Sequence, residues 1–494
     1  MYFGAGLHDA FRKIAIILFS VMTITAAHAS DWARFRGPNG SGISPDPDPL
    51  PATFSETENL KWKVALPGPG VSCPIVVGDK IFVTCYSGYG LDRQKLGDMK
   101  DLKRHIVCLD RSTGKTLWEK TVDAVLPEDA FTGMGVPEHG YASHTPVSDG
   151  INVYAFFGKA GVYAWDLDGK ELWKTSVGSG SDDRSWGSSS SPIVYADILV
   201  VPAGAESRAV VGLDKKTGKE LWKAESDNLG NVWGTPSISK VDDTRTDIVI
   251  GAPYEIWGIN PATGKLKWFC NAMETDQFNS SAVVADGVVY AVEGRGGGSI
   301  AIKTGGKGDV TSTNVVWSGK DSNRFATPLV YDGRIYLISG GTAKCLNAAD
   351  GKEIFQARLQ GGTPTGDGER PGRGAGGSGG GRPGAPGAPT GPGPGQPPEG
   401  GGGGRGGFGG GGGFGGGGGG GRGSDYSSPV LGDGKIFYVT RGGDIHVLKA
   451  SDKFEKLATN RLTSEPEDFS ATPAISSGQI FIRSSKHLYC VSEN

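Results

Sequence analysis

The chain has 494 residues, a formal net charge of -3 and 21% charged residues. That balance gives no global electrostatic reason to expect nucleic acid or an anionic membrane as partner. At this length several domains are the ordinary expectation, unless one repeat architecture takes up the chain.

Residues 1–29 read as a secretory signal. Arg12 and Lys13 precede an apolar run over 14–24, and Ala27-His28-Ala29 has the small-x-small form of a cleavage site before Ser30. The run is too short to favour a membrane anchor, and no cysteine stands near the cleavage point to carry a lipid. The expected setting is periplasmic or secreted, with no stable membrane span after cleavage. Residues 30–59, opening SDWARFRGPNGSGISPDPDP, are rich in Pro, Gly and Asp. They are expected to lie extended across one face of the fold, held by Trp32 and Phe35.

From residue 60 onward a unit repeats. Residues 327–355 show it plainly: four short apolar runs, each bounded by Asp-Gly, Gly-Gly or Ala-Asp-Gly turns and each too short for a stable helix. Copies begin at Cys73-Pro74, Thr145-Pro146, Ser191-Pro192, Thr235-Pro236, Ser281-Ala282, Thr327-Pro328, Ser428-Pro429 and Thr472-Pro473. Pro146, Pro192 and Pro236 stand 46 and 44 residues apart, and Pro429 and Pro473 stand 44 apart. A strand-only period of roughly 40–50 residues is the mark of a β-propeller blade. The last copy ends at Asn494 without a closing strand, while residues 60–64 (LKWKV) match the outer strands ELWKT and ELWKA of other copies. The reading is therefore all-β, an eight-bladed propeller over 60–494 whose last blade is completed by an N-terminal strand, leaving no unpaired edge.

Blade one carries an insertion over 86–104, and a long connection follows over 121–143; loops on a rigid scaffold often carry function. Residues 361–423, between blades six and seven, are almost wholly Gly and Pro, with Arg373, Arg382, Arg405 and Arg422 dispersed among them. Such a segment buries too little apolar surface to offset its ordering entropy and is expected to be disordered. The arginines are too sparse, and the signal too exporting, for RNA to be the expected partner.

A second regularity closes each unit: LDKKTGKELW over 213–222 has near copies over 109–118, 167–173 and 259–268. The Asp (Asp110, Asp214) suits backbone N–H groups across a turn, and the Gly (Gly114, Gly218, Gly264) suits positive φ at its end. The Trp (Trp118, Trp173, Trp222, Trp268) offers a broad packing surface between blades. This turn-and-Trp pattern resembles the pyrroloquinoline-quinone-type propeller repeat. That repeat is shared by quinoprotein alcohol dehydrogenases and by the propeller lipoprotein that assembles outer-membrane barrels. The dehydrogenase branch would imply a calcium-bound quinone on the axis, a catalytic Asp and, in many members, a disulfide of adjacent cysteines. Cys73, Cys85, Cys108, Cys270, Cys345 and Cys490 include no adjacent pair, and no metal or catalytic set is carried over. Glu138, Asp182, Asp183, Asn231 and Asn279 precede inner strands and are the residues that would have to converge on calcium. Cys108, Cys345 and Cys490 share one strand position and read as small buried hydrophobes, with one or two disulfides still open.

One aromatic stands just ahead of each inner strand from blade two to blade eight: Tyr141, Trp186, Trp233, Phe278, Phe325, Tyr426 and Phe469. With Arg184 and Arg324 they are expected to ring the central mouth and form a binding face for a protein or peptide; filling gaps between blades is the alternative. The reading of function is a non-catalytic scaffold without a cofactor, binding an envelope partner. A quinone- and calcium-dependent alcohol or sugar dehydrogenase is the alternative, and a small-molecule or glycan binder a third. Ser143, His139 and His144 share one loop, with no third group in sight to complete a hydrolytic set.

Overall fold

A computed structural model describes residues 31–360 and 425–493, apart from Met134, Arg295 and Arg324. The signal segment and the Gly-rich insertion lie outside the described residues, as does Arg324. Among the described residues no helix is long and apolar enough to cross a membrane.

Eight small antiparallel sheets make up the propeller. Blade one shows the pattern, with Ile75–Val77 innermost, then Lys80–Ser87, Lys103–Asp110 and Thr116–Asp123 outermost. The second and third strands are buried almost throughout, because both faces of a blade pack against neighbouring blades. Blade eight is assembled from both ends of the described chain: Leu60–Ala65 pairs antiparallel with His487–Ser492, placing Trp62 opposite Cys490 and Val64 opposite Leu488. One sheet departs from four strands. Gly308–Asp309 runs parallel beside Leu266–Asn271 and adds a fifth to blade four before the chain turns through Thr311–Asn314 into the outer strand of blade five.

The repeated turn works across blades. Asp110 and Asp214 accept the backbone N–H of Thr113 and Thr217 at 2.8 Å within their own turns. Each outer-strand Trp then reaches the next blade. Trp62, Trp118, Trp173, Trp222 and Trp317 donate Nε1–H to the carbonyls of Arg111, Leu167, Lys215, Pro261 and Ala348 at 2.9–3.1 Å. Their rings lie on Gly114, Gly169, Gly218, Gly264 and Gly351, where a β-carbon would come within 3 Å of the indole. Trp268 is the exception, donating to Asp247 at 2.9 Å, because the turn of irregular blade five is not there to receive it.

A second ring of bonds runs around the axis. The residue opening each inner strand gives its backbone N–H to the side chain of the same residue in the next blade. Cys73 donates to Thr145, Thr145 to Ser191, Ser191 to Thr235, Thr235 to Ser281, Ser281 to Thr327, Thr327 to Ser428, and Ser428 to Thr472, all at 2.9–3.1 Å. Thr472 closes the circle on the Cys73 thiol at 3.3 Å. Thr and Ser alternate from blade to blade, and Cys73 occupies a Ser slot.

Residues 31–54 cross the opposite end of the propeller. Trp32 exchanges backbone bonds with Val76 and is fully buried, Asn39 does the same with Ile238 through its amide, and residues 42 and 44 bond to Leu431. Arg34 donates to the Pro236 carbonyl at 2.6 Å, and Arg36 to Pro328 and Pro429 at 2.9 and 3.2 Å. Burial lowers their pKa to about 10 and about 9. The expected crossing segment is thus present, but its deepest anchors are two arginines as well as Trp32.

The thiol is the weakest acceptor in the axial ring. Cys73→Ser should therefore leave stability to urea within about 1 kcal/mol of the parent, or raise it. Cys73→Ala, which strands the Thr472 N–H in a buried setting, should cost about 1–3 kcal/mol. An alanine variant as stable as the parent would deny the ring any part in closure.

Candidate functional site

The connections from each outer strand to the next inner strand converge at the end of the axis away from residues 31–54. They enclose a cavity of about 610 Å³. Its floor is the Ser/Thr ring together with Phe35, which reaches in from the far side. Trp186, Trp233, Phe325 and Tyr426 form its walls.

These four aromatics stand as two pairs. Trp186 and Trp233 are tilted, with ring centroids 5.5 Å apart, while Phe325 and Tyr426 stack at 4.5 Å. Local chemistry holds the first pair in place. Asp182 accepts the N–H groups of Arg184 and Gly187 at 2.9 and 2.8 Å, folding residues 182–187 into a tight loop with Trp186 at its tip. Gly135 packs so closely beneath Trp186 that a β-carbon there would sit 2.6 Å from it. Trp233 is fixed by its Nε1–H on the Gly187 carbonyl at 2.8 Å, and its own N–H bonds to Phe278 at 2.7 Å.

The other three of the seven aromatics are not at the mouth. Tyr141 is buried among Tyr86, Tyr89 and Phe131, side chains supplied by the blade-one insertion and the connection after it, and its hydroxyl donates to the Asp129 carbonyl at 2.7 Å. Phe278 fills the slot left by Gly251, and Phe469 lies against Gly443 and stacks on Tyr489. The expected ring of seven is corrected to four wall residues and three core residues. Where a neighbouring strand offers a glycine-lined slot or a loop supplies an apolar lid, burial draws the ring inward. Arg184 stays at the rim, its guanidinium 5.0 Å from the Trp186 ring and paired with Asp276 at 2.7 Å.

Glu138 is the one carboxylate among the lining residues. Burial opposes its ionisation, yet hydrogen bonds from Arg441 and Arg93 outweigh this and hold its pKa below the usual range. Arg441 bridges on to Asp468 and lies 5.6 Å from the Tyr426 ring. The residues considered for calcium do not converge. Asp182 serves its own loop, Asp183 pairs with Arg208, Asn231 donates to Asp183 and the Asp276 carbonyl, and Asn279 donates to Glu293. Among the described residues no three His, Cys, Asp or Glu side chains group in a way that could hold a metal ion. All six cysteines are buried, and none is bonded to another.

His139 and Ser143 do meet, at 2.6 Å from Nδ1 to Oγ, while the Nε2–H of His139 donates to the Trp186 carbonyl at 2.8 Å. The orienting group is a carbonyl rather than a carboxylate, and His144 turns away to Ser188 at 2.8 Å. Ser188 in turn donates to the fully buried Glu206. This polar cluster behind the cavity wall was not visible in the sequence, because Glu206 comes from the third blade and Arg104, which pairs with Glu128, from the first.

Geometry of this kind defines the class: an eight-bladed propeller of quinoprotein-type repeats with a blind, aromatic-walled axial cavity. The chain belongs to the family of the outer membrane protein assembly factor BamB, whose model matches residues 102–357, just over half of its length. Polyvinylalcohol dehydrogenases of Sphingopyxis sp. (strain 113P3) and Pseudomonas sp. are 24% identical over 265 residues and 23% identical over 286. Those alignments cover 44% and 48% of this chain but only 36% and 40% of the enzymes, so the chain spans well under half of each relative it matches. BamB from Moraxella catarrhalis superposes with a TM-score of 0.51 at 10% identity, over 88% of this chain and 97% of that one. A europium-containing methanol dehydrogenase gives 0.56 at 10% identity, over 94% and 98%, and the quinohemoprotein alcohol dehydrogenase of Comamonas testosteroni gives 0.53 at 11%, over 95% and 81%. At such identities the likeness is one of fold, and it extends to binding proteins and enzymes alike.

Two buried groups behind the wall carry opposite pH signatures. Burial raises Glu206 from 4.5 to about 7 and lowers His144 from 6.5 to about 3. As pH rises from about 4.5 to 7 the folded chain keeps a proton on Glu206 that the unfolded chain releases, so stability falls. As pH drops from about 6.5 towards 3 the unfolded chain gains a proton that folded His144 refuses, so stability falls there too. Glu206→Gln removes the first effect alone. The variant should match the parent near pH 4.5 and exceed it at pH 8 by on the order of 3 kcal/mol in urea unfolding; a gap that does not change with pH would show that Glu206 ionises freely in the fold.

Proposed function

We propose that this chain is a non-catalytic scaffold of the cell envelope, periplasmic or secreted, which holds a protein or peptide partner at its axial cavity. The observation that carries this reading is the cavity itself, where two aromatic pairs stand half-exposed within a rim of arginines. Rigid aromatics flanked by Arg are the side chains that dominate protein interfaces. Family membership supports it, as does the engagement of every nearby carboxylate by a protein partner. Calcium needs several free oxygen ligands at one point, and Glu138, the lining carboxylate, is already bound by two arginines. The residues present therefore do not fit a calcium-bound quinone, and the scaffold reading includes neither group.

The dehydrogenase reading is kept alive by the polyvinylalcohol dehydrogenases among the relatives. Purified protein supplied with calcium and the quinone, then tested for bound chromophore and alcohol-dependent dye reduction, separates the two readings. Turnover would overturn the scaffold.

Both Trp186 and Trp233 are partly exposed, so truncating them should leave the fold intact. The Trp186→Ala/Trp233→Ala double variant, immobilised and exposed to cell-envelope extract, should recover at least tenfold less of the partner than the parent does. Its circular dichroism and melting temperature should stay close to the parent's. Undiminished recovery by a folded double variant would remove the cavity from the binding face.

A further inference from the structure

Five hydroxyls on the cavity floor are only half engaged. Ser191, Thr235, Ser281, Thr327 and Ser428 each accept a backbone N–H from the preceding blade. None of the five donates its own hydroxyl hydrogen to another described residue. Thr145 and Thr472 differ, since both lie within hydrogen-bonding reach of the Cys73 thiol. A hydroxyl has one donor and two acceptor sites; with an acceptor site taken by the neighbouring blade, its hydrogen is available to the cavity. Because the five positions are equivalent in successive blades around one axis, their hydroxyls line one arc of the floor, beneath the aromatic walls.

Behind the floor the charge is positive, while the buried carboxylate of Glu293 stands to one side, taken up by Asn279 and the Ser280 N–H. Arg34 is buried and Arg36 fully buried on the floor's far side, both bonding only to carbonyls, and Arg483 is fully buried against Ser72 and the Cys85 thiol. Among the described residues none of the three has a carboxylate partner. At the rim, the single lining carboxylate is offset by Arg93 and Arg441. A low-dielectric cavity with buried cations behind its floor and hydroxyl donors along it favours a bound anion. The absence of a lysine or arginine among the floor residues suits a monoanion that takes several neutral hydrogen bonds better than a phosphate. Above the floor, the space between the two aromatic pairs calls for an apolar body attached to that head.

We infer that the cavity captures the free C-terminal carboxylate of a partner polypeptide. The carboxylate sits on the five floor hydroxyls, and an apolar last side chain lies between the Trp186–Trp233 and Phe325–Tyr426 pairs. This rests on the scaffold reading and names the part of the partner that is held. Terminal-carboxylate capture by convergent donors is a known mode of peptide recognition; here side-chain hydroxyls would take the place of backbone N–H groups.

Calorimetry on the full chain with N-acetyl-Leu-Phe and its C-terminal amide isolates the carboxylate. The acid should bind at least tenfold more tightly than the amide. Ser281→Cys should weaken the acid severalfold and leave the amide unchanged, because a thiol can close the axial ring, as Cys73 does, but donates poorly. Equal affinities for acid and amide would overturn the inference. So would tight binding of indole-3-carboxylate with none of the dipeptide acid, which would assign the floor to free small carboxylates. Removing C-terminal residues of the extract proteins with a carboxypeptidase should abolish partner recovery. If recovery survives that treatment but is lost in the double Trp variant, the terminus is excluded while the scaffold reading stands.

Discussion

The structure depends on closing a ring of sheets that has no covalent seam. Each blade is a sheet too small to bury its own faces, so stability comes from the blade-to-blade interfaces, and one missing interface would expose two apolar faces together. A closed axial circle of hydrogen bonds and a partial peripheral series set the spacing of these interfaces. At the axis, a side-chain oxygen or sulfur of each blade accepts a backbone N–H from the blade before it. At the periphery, an outer-strand indole lies on the turn glycine of the blade after it at five of the eight interfaces. Blade eight, built from Leu60–Ala65 and Ala474–Ser492, is where both sets meet the two ends of the described chain. Arg111 adds a third tie at this seam, donating to Gln479 and to the Ser476 carbonyl at 2.8 and 2.7 Å.

Residues 31–54 turn the ring into a vessel. Their backbone and side chains bond to six of the eight blades, and Phe35 closes the end of the axis below the cavity floor. Two buried guanidiniums bonded only to carbonyls are costly unless the carbonyl dipoles are well placed. The inner strands supply them, since the carbonyls of Pro236, Pro328 and Pro429 have no strand on the axial side to bond to. The same groups leave positive charge behind the floor, so an anchoring device and the character of the cavity have one origin.

The propeller is legible in the sequence because its signals are local. The turn spacing, the Asp and Gly of the outer turn, and the LKWKV strand displaced to the N-terminal side all lie within short windows. The axial ring left a trace too: where the proline after the ring residue is replaced, at Ala282, the hydroxyl of Ser281 remains, which marks the side chain as the necessary part. The aromatic positions were legible as a series but not as a surface. Whether Tyr141, Phe278 and Phe469 face the mouth or the core turns on Gly251, Gly443 and the blade-one insertion, all remote in sequence.

The amino-acid sequence alone determined the blade number, the strand order and the strand that completes the circle, because each rests on periodicity and turn chemistry within a few residues. Tertiary structure alone decided which aromatics line the cavity, that Arg34 and Arg36 stand behind its floor, and that Glu206, Ser188 and His144 share one buried cluster. Those are contacts between blades, and no local pattern specifies which side chain of one blade meets which of the next.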